Sequence, residues 1–211
     1  HPDIDNSASY WKYLDTHLDM KIDESLRVFH ALNPAPSSRI FEIGPGTSYL
    51  MKILQDNDCD VSGCDIKNGR DIYGHMRLQL GIDTVVDYRV EANSRMRCLD
   101  GQYDYIITLN SSMAHKWDIS EYHSFVDNCL DHLTETGYLC LHFNAPLDDP
   151  RHQESLPLPL PAHEIFAKYH PISLCISGQD GRRGLLMPST ASHSAVLIPR
   201  RGVGTSFRFL P

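Results

Sequence analysis

The stretch Arg39-Ile40-Phe41-Glu42-Ile43-Gly44-Pro45-Gly46-Thr47-Ser48 decides the fold of this chain. A short apolar run with one acid leads into a pair of glycines, and the helix-compatible segment 49–54 follows. Because glycine lacks a Cβ, the chain can turn sharply here and a ligand can lie against the main chain. Free N–H groups at the start of the next helix attract electron-rich groups. The pattern therefore predicts a strand, a ligand-binding turn and a helix.

The size and composition of the chain indicate one globular protein with a single core. It has 211 residues, of which 41% are hydrophobic and 22% are charged, as in ordinary soluble domains. No apolar run approaches the roughly 18 residues that a membrane-spanning helix needs, and no N-terminal signal pattern is visible. We therefore expect a cytoplasmic protein with no membrane association. Residues 1–33 are expected to form a helical segment that packs on the core, and residues 34–211 to form the main domain.

Charge and side-chain chemistry argue against several classes of function. The formal net charge of −8 disfavours general nucleic-acid binding, which relies on a basic surface. The six cysteines are scattered without a C-x-x-C pair, and the twelve histidines form no H-x-x-x-H pair on a predicted helix. This pattern favours reduced core thiols over a disulfide framework, and it predicts no bound metal.

Strand and helix patterns alternate along the chain. Helical periodicity predicts two pieces before residue 33 and further helices over 49–54, 69–80, 118–136 and 162–169. Apolar and β-branched runs predict strands over 39–43, 60–66, 84–90, 103–110, 138–143, 172–177 and 194–199. The alternation predicts an α/β fold, with a Rossmann-like, doubly wound, mostly parallel sheet in a three-layer αβα arrangement. Its ligand crevice should lie at the carboxyl ends of the strands.

Two of the predicted helices carry more specific expectations. Asp118 and Glu121 have the spacing of a capping box at the start of the predicted helix over 118–136, and its apolar face is expected to run as far as Leu133. In the helix over 69–80, four apolar residues are expected to be available for burial. They are Ile72, Met76, Leu78 and Leu80.

Asp65 ends the second predicted strand. It follows Gly46 by 65 − 46 = 19 positions, close to the roughly 20-residue interval at which a neighbouring parallel strand delivers a carboxylate to a ribose diol. A carboxylate suits a diol because its two oxygens can accept both hydroxyl protons. We therefore expect Asp65 to bind the sugar of a nucleoside.

Residues 39–144 resemble the class I S-adenosylmethionine-dependent methyltransferases. The first motif of that family is approximated by Glu42-Ile43-Gly44-Pro45-Gly46-Thr47-Ser48, and the downstream Asp65 completes the resemblance. The sequence differs from the family at Ser48, where a third glycine is usual, so either a slightly altered turn or a different placement of the cofactor is expected there. The resemblance implies a methyltransferase that uses S-adenosylmethionine as its cofactor.

The resemblance also implies which residues contact the methionine end of that cofactor. Glu42 would help to hold the methionine moiety, and Asn110 would approach it through its backbone. Gly44, Pro45 and Gly46 would form the backbone wall of the site. Methyl transfer would then depend on how these residues align the cofactor with an acceptor.

Four residues are implied for the nucleoside end. Asp65 would bind the ribose and Ile66 would pack on the adenine. Glu91 and Ala92, which follow the third predicted strand, would approach the adenine edge.

The acceptor is expected to be a hydroxyl group on a small molecule or a glycan. A histidine could remove the hydroxyl proton near neutral pH. His115 follows the fourth predicted strand and His142 lies near the end of the fifth, so both are candidate bases. Either one could instead be an ordinary hydrogen-bonded histidine.

Two other functions are compatible with this pattern. Nicotinamide-dependent oxidoreductases also combine a strand, a Gly-x-Gly turn and a ribose-binding acid, but Pro45 and the missing third glycine count against them. A non-catalytic cofactor-binding module or scaffold remains open, because Ser48 departs from the motif and no obvious acid–base pair is present.

Overall fold

The computed structural model describes residues 18–66, 72–109, 117–143, 165–176 and 193–200. In this part of the chain the strands are β1 (Arg39–Ile43), β2 (Asp60–Asp65), β3 (Val85–Asp87), β4 (Tyr103–Leu109), β5 (Leu133–Phe143), β6 (Ile172–Ile176) and β7 (His193–Pro199). The helices are α1 (Leu18–Leu32), α2 (Tyr49–Asp56), α3 (Ile72–Gln79) and α4 (Ile119–Asp131), with a 3-10 helix over Ala167–Tyr169. No helix in these ranges is both long and apolar enough to cross a membrane.

The strands form one sheet in the order β3-β2-β1-β4-β5-β7-β6. The five strands from β3 to β5 are parallel, whereas β7 runs antiparallel to both of its neighbours. The predicted mostly parallel α/β sheet is therefore confirmed. The chain moves outwards from β1 through β2 to β3 and then returns to β4 on the other side of β1. A switch point lies between β1 and β4, the place where such sheets open a ligand crevice.

Helices cover both faces of the sheet. On one face, α1 and α2 contribute buried apolar side chains, including Val28 and Leu54, to one core cluster. On the other, Phe125 and Val126 of α4 belong to a second cluster. Because both faces are covered, β1 is buried from Ile40 to Ile43, as a continuous apolar strand requires. The three-layer prediction is confirmed.

The predicted capping box is present at the start of α4. The side chain of Asp118 accepts a hydrogen bond from the N–H of Glu121 at 2.9 Å, and the Asp118 N–H donates to the Glu121 carboxylate at 2.8 Å. These two bonds satisfy N–H groups that a helix start leaves without intrahelical partners. The local sequence therefore determines where this helix begins.

The predicted end of the same helix is wrong. The helix stops at Asp131, and Leu133 belongs to β5, where it pairs with Tyr103 of β4. Leu133 continues the helical spacing of apolar residues, but it reaches the core through strand pairing instead. Leu133 is buried, as the pattern predicts, but it lies in a strand and not in the predicted helix.

Helix α3 departs from its predicted burial pattern. Leu78 is 71% exposed, so the expectation that it is available for burial is wrong, whereas its neighbour Arg77 is buried. The reason is a set of polar partners for Arg77, described below. Strand β3 is also shorter than the predicted 84–90, because only three residues pair with β2 at this edge of the sheet.

At the two ends of the chain the predictions are only partly tested. Helix α1 runs without a break from Leu18 to Leu32, and the first predicted helical piece otherwise lies outside the described residues. The predicted helix over 162–169 is present from residue 165. Both predicted tail strands are present as β6 and β7, which extend the sheet beyond β5.

Candidate functional site

The glycine turn after β1 has the geometry that its sequence predicts. Gly44 and Gly46 have φ angles of 67° and 51°, in the left-handed region that glycine adopts without a steric penalty. The Gly44 N–H donates to the Cys64 carbonyl at 2.8 Å, which joins the turn to β2. The Ser48 N–H donates to the Pro45 carbonyl at 2.8 Å and closes the bend.

Ser48 takes a glycine-like backbone conformation. Its φ and ψ angles are 61° and 27°, and its side chain is buried. A non-glycine residue in this region costs about 1–2 kcal/mol. The chain thus keeps a left-handed bend immediately before α2, although a serine stands where the resembling family usually has glycine.

The Gly46 backbone is not crowded by the part of the chain that the structure describes. A Cβ placed on Gly46 would meet no atom of these residues within 4 Å, whereas a Cβ on Gly63 would lie 2.5 Å from the backbone oxygen of Glu42. Gly63 is therefore needed for the close approach of β1 and β2. Gly46 instead leaves a stretch of main chain accessible to a ligand.

Asp65 is held against this turn by three donors. Its Oδ2 accepts from the Gly46 N–H at 3.2 Å and from Arg77 Nη1 at 3.0 Å, and its Oδ1 accepts from the Ile66 N–H at 2.9 Å. Burial raises the pKa of Asp65, and the three donors partly oppose that shift by stabilising the charged form. The structure therefore brings together the predicted glycine turn and the predicted acid.

Arg77 is a site residue that the sequence pattern did not indicate. Its Nη1 donates to the Gly46 carbonyl at 3.3 Å as well as to Asp65. Helical periodicity ranks apolar residues for burial and assigned the inner positions of α3 to residues such as Met76. The one sequence feature that could have indicated Arg77 is its position, twelve residues after the predicted ligand-binding acid Asp65.

Glu42 is a buried acid at the switch point of the sheet. It lies in β1 between Gly63 of β2 and Ile107 of β4, and it is only 2% exposed. Its Oε2 has no hydrogen-bond partner among the described residues. Burial and the neighbouring charge of Asp65 raise the pKa of Glu42 to about 8. The buried acid can therefore hold its proton at neutral pH and ionise when a cation arrives.

These features fit the chemistry of S-adenosylmethionine, which carries cationic groups, a ribose and an adenine. The buried Glu42 oxygen matches a cationic group, and the open face of Gly46 admits a ligand to the backbone. Asp65 offers an acceptor for the sugar. Ile66 is an exposed apolar side chain beside it, which suits packing against a flat base.

The remaining cofactor residues of the sequence prediction are placed in part. Glu91 is exposed and Ala92 is buried, in the loop that follows β3. The Glu91 carbonyl accepts from the N–H of Ser94 at 3.3 Å, which shapes a turn there. Asn110 and His115 lie outside the described residues.

His142 is buried beneath α1. Its Nδ1 lies 3.9 Å from Oε1 of Glu24, and Oε2 of Glu24 accepts from Lys21 Nζ at 2.7 Å. Residues two apart on a strand share a face, and Cys140 is close enough to Glu42 for the glutamate charge to raise the Cys140 pKa. His142 therefore lies on the same face of the sheet as Glu42. A carboxylate beside Nδ1 can orient an imidazole for proton transfer, and no local sequence pattern indicated Glu24.

The cysteines of the described residues are free thiols. Cys59, Cys64, Cys129 and Cys140 are free and buried, and Cys98 is free and partly exposed. Within the described ranges, no cluster of three or more histidine, cysteine, aspartate or glutamate side chains is placed to hold a metal ion.

Comparison with known proteins gives matches at the level of structure. No protein-family model matches the sequence, and no curated protein is significantly similar to it. A proposed O-methyltransferase from Nostoc punctiforme superposes with a TM-score of 0.63 and 11% identity over 89% of this chain. The match spans 58% of the Nostoc chain, so this protein covers little more than half the length of that neighbour.

Two further neighbours are matched over nearly their whole length. An S-adenosylmethionine-dependent methyltransferase from Clostridium acetobutylicum has a TM-score of 0.62 and 10% identity, with coverage of 92% of this chain and 98% of that chain. A TehB-like methyltransferase from Corynebacterium glutamicum has a TM-score of 0.57 and 13% identity, with coverage of 92% and 100%. Identities this low establish the fold alone. This chain has the fold of the S-adenosylmethionine-dependent methyltransferases, in agreement with the resemblance of its first motif.

Proposed function

We propose that this protein is an S-adenosylmethionine-dependent methyltransferase that methylates a hydroxyl group of a small molecule or glycan. The fold and the turn after β1 support the cofactor. The Nostoc neighbour, itself a proposed O-methyltransferase, supports oxygen as the acceptor atom. The net charge of −8 favours a small acceptor over a nucleic acid.

The observation that carries the proposal is the open backbone of Gly46 beside the buried acid Glu42. A buried carboxyl oxygen without a partner is costly, and it occurs here at the switch point where this class of sheet binds ligands. A cationic ligand that reached Glu42 would offset that cost. The same ligand could place its sugar against Asp65, which is tied to Gly46.

The residues of the site would act mainly by alignment. S-adenosylmethionine, when bound, supplies a methyl group on an electrophilic sulfonium. Glu42 would hold the cationic methionine end, and Asp65 and Ile66 would hold the nucleoside. Because methyl transfer is an in-line displacement, fixing the donor and excluding water account for most of what the chain has to contribute.

We include His142 as a proposed base for the acceptor hydroxyl, with Glu24 orienting its ring. The 3.9 Å approach of Glu24 to Nδ1 would leave Nε2 to accept the proton. His115 remains the second proposed base. In this proposal, Glu24→Gln shifts the pH profile of kcat, while the affinity for S-adenosylhomocysteine stays unchanged.

A matched pair of glycine variants tests the cofactor site. Gly46 and Gly81 both have positive φ, and a Cβ on either would meet no atom of the described residues within 4 Å. Gly46→Ala and Gly81→Ala therefore introduce similar backbone strain, but only Gly46→Ala places a methyl group in the proposed site. We expect Gly46→Ala to weaken the binding of S-adenosylhomocysteine, measured by calorimetry, by about tenfold or more. Gly81→Ala should leave the affinity unchanged.

Equal affinities of the wild-type protein and Gly46→Ala for S-adenosylhomocysteine would contradict the placement of the cofactor site at this turn. A protein stabilised by NAD and not by S-adenosylhomocysteine in thermal unfolding would support the oxidoreductase alternative instead. A further prediction is that Asp65→Ala weakens S-adenosylhomocysteine binding by about tenfold or more.

Methyl transfer itself separates an enzyme from a non-catalytic module. The protein should release S-adenosylhomocysteine from S-adenosylmethionine in the presence of a hydroxylated acceptor, tested over a panel of small molecules and sugars. Binding without turnover across the whole panel would favour the scaffold alternative.

A further inference from the structure

Arg77 is buried, although the next residue of α3 is exposed to solvent. Its side chain is 9% exposed, whereas that of its neighbour Leu78 points outwards. Burying a guanidinium is costly unless charged or polar partners compensate for its lost hydration. Such partners include Asp65 Oδ2 at 3.0 Å and the Gly46 carbonyl at 3.3 Å. The burial of Arg77 is thus tied to the two residues that form the proposed cofactor site.

The donors around Asp65 limit what else it can bind. An ionised carboxylate has about four acceptor positions, two on each oxygen. The Gly46 N–H and Arg77 Nη1 take both positions on Oδ2, and the Ile66 N–H takes one on Oδ1. At most one acceptor position remains, on Oδ1. The expectation that Asp65 accepts both hydroxyls of a ribose diol is therefore incompatible with this arrangement.

Arg77 also favours the charged form of Asp65. Asp65 is largely buried, and burial raises its pKa, while the guanidinium opposes that shift. The negative charge of Asp65 in turn raises the pKa of Glu42. Removing the guanidinium would leave two buried acids close together with one fewer compensating cation.

We propose that Arg77 is a positioning residue for the nucleoside sugar. It keeps Asp65 ionised, ties it to the glycine turn, and restricts it to one sugar hydroxyl, which binds Oδ1. This inference rests on the proposed function, since it requires that an adenosyl ligand occupies the site. It adds to that function a specific rule, namely that the two ribose hydroxyls contribute unequally to binding.

The first test uses the wild-type protein and two ligands, the 2′-deoxy and 3′-deoxy forms of S-adenosylhomocysteine. Loss of the hydroxyl that binds Oδ1 should weaken binding by about tenfold or more, as expected for a hydrogen bond to a charged group. Loss of the other hydroxyl should change the affinity by less than about threefold. Equal losses for the two analogues, large or small, would overturn the inference.

The second test uses Arg77→Met, which keeps an unbranched apolar stem and removes the guanidinium and its charge. Because Oδ2 can then accept a hydrogen bond from the second sugar hydroxyl, the difference in affinity between the two deoxy analogues should become smaller. The pH midpoint below which S-adenosylhomocysteine binding is lost should also move upwards, because Asp65 protonates more readily without the guanidinium. Arg77→Lys, which restores the charge, should bring the midpoint back towards that of the wild type. A purely structural role for Arg77 would change neither quantity.

Arg39→Met is the matched control. Arg39 likewise contacts an aspartate, Asp60, at 3.6 Å and donates to a backbone carbonyl, that of Gln102, at 2.9 Å. It lies at the amino end of β1, away from the site. This variant should have the same pH midpoint for S-adenosylhomocysteine binding as the wild type. It should also show the same difference in affinity between the two deoxy analogues.

The outcomes separate this inference from the proposed function. No binding of S-adenosylhomocysteine by the wild-type protein overturns both. Binding with equal analogue losses overturns the role of Arg77 alone, as does a folded Arg77→Met protein with a wild-type midpoint. If Arg77→Met does not fold, the wild-type analogue comparison and Arg77→Lys decide the question.

Discussion

An arginine–aspartate pair lies at each end of strand β2, with Arg39 of β1 at the amino end and Arg77 of α3 at the carboxyl end, and the two pairs differ in exposure. At the amino end, Arg39 and Asp60 lie 3.6 Å apart with side chains 47% and 70% exposed. At the carboxyl end, Arg77 and Asp65 lie 3.0 Å apart with side chains 9% and 14% exposed. The same two residue types thus meet in water at one end of the strands and in the protein interior at the other.

The difference in exposure indicates that the two pairs have different roles, one in local stability and the other in ligand binding. An exposed pair gains little because water screens it, so the amino end contributes mainly to local order. A buried pair requires the protein to offset the desolvation of two charges, and such costs are concentrated at ligand sites. The end that carries the costly pair is also the end with the glycine turn and Glu42. Four sets of variants would break or sharpen this contrast.

Among the substitutions, the largest loss of stability is expected from breaking the buried pair. Arg77→Met leaves the Asp65 charge buried with only backbone donors, and we expect the free energy of unfolding to fall by about 3 kcal/mol. Arg39→Met should lower it by less than about 1 kcal/mol. Urea denaturation of both variants measures the contrast, and equal losses would show that burial does not distinguish the two pairs.

Gly63 lies between the two pairs and sets the distance from β1 to β2. A Cβ there would lie 2.5 Å from the Glu42 backbone oxygen, so the strands must shift to accept it. Gly63→Ala should lower the free energy of unfolding by about 2 kcal/mol, measured by urea denaturation. A variant as stable as the wild type would show that the strands can separate freely at this point.

Glu42 predicts a pH dependence of stability. Its pKa is raised from 4.5 to about 8 by burial and by Asp65, so the folded protein retains a proton that the unfolded chain loses between these values. The free energy of unfolding should therefore fall as pH rises from about 5 to 8, by up to about 1.4 kcal/mol per pH unit. Glu42→Gln should flatten this slope in urea denaturation between pH 5 and pH 8. An unchanged slope would assign the dependence to other groups.

The smallest effect concerns two serines on either side of β1. Ser37, which is exposed, and Ser48, which is buried, both have φ above 60°. Relief of strain in Ser37→Gly and Ser48→Gly is partly offset by the greater freedom of glycine in the unfolded chain. Each should gain at most about 1 kcal/mol in thermal or urea unfolding. A clear loss in Ser48→Gly alone would mean that its buried side chain stabilises the turn.

Local sequence patterns could predict the frame of the molecule because local physics determines it. The strand, the glycine turn and α2 follow from residues 39–56, and the capping box of α4 follows from Asp118 and Glu121. The position of Asp65 beside the turn follows from the spacing of adjacent parallel strands. These features depend on dihedral preferences and on the alternation of strands and helices.

The sequence could not predict the long-range contacts that position and charge the side chains of the site. Arg77 is buried because of partners in β2 and the glycine turn, whereas periodicity could rank only apolar residues for burial. Glu24 meets His142 across 142 − 24 = 118 positions, and no local pattern reports so distant a pair. Leu133 fits helical spacing equally well, and strand pairing with β4 overrides it.

The most direct test of the site is a crystal structure of the protein with S-adenosylhomocysteine. We expect the ribose to lie within hydrogen-bonding distance of Asp65 Oδ1, the adenine to pack on Ile66, and the amino group of the homocysteine to lie near Glu42. Arg77 should remain bonded to Asp65. A nucleoside bound elsewhere, or a ligand that leaves the glycine turn and Glu42 uncovered, would contradict the assignment of this edge of the sheet as the cofactor site.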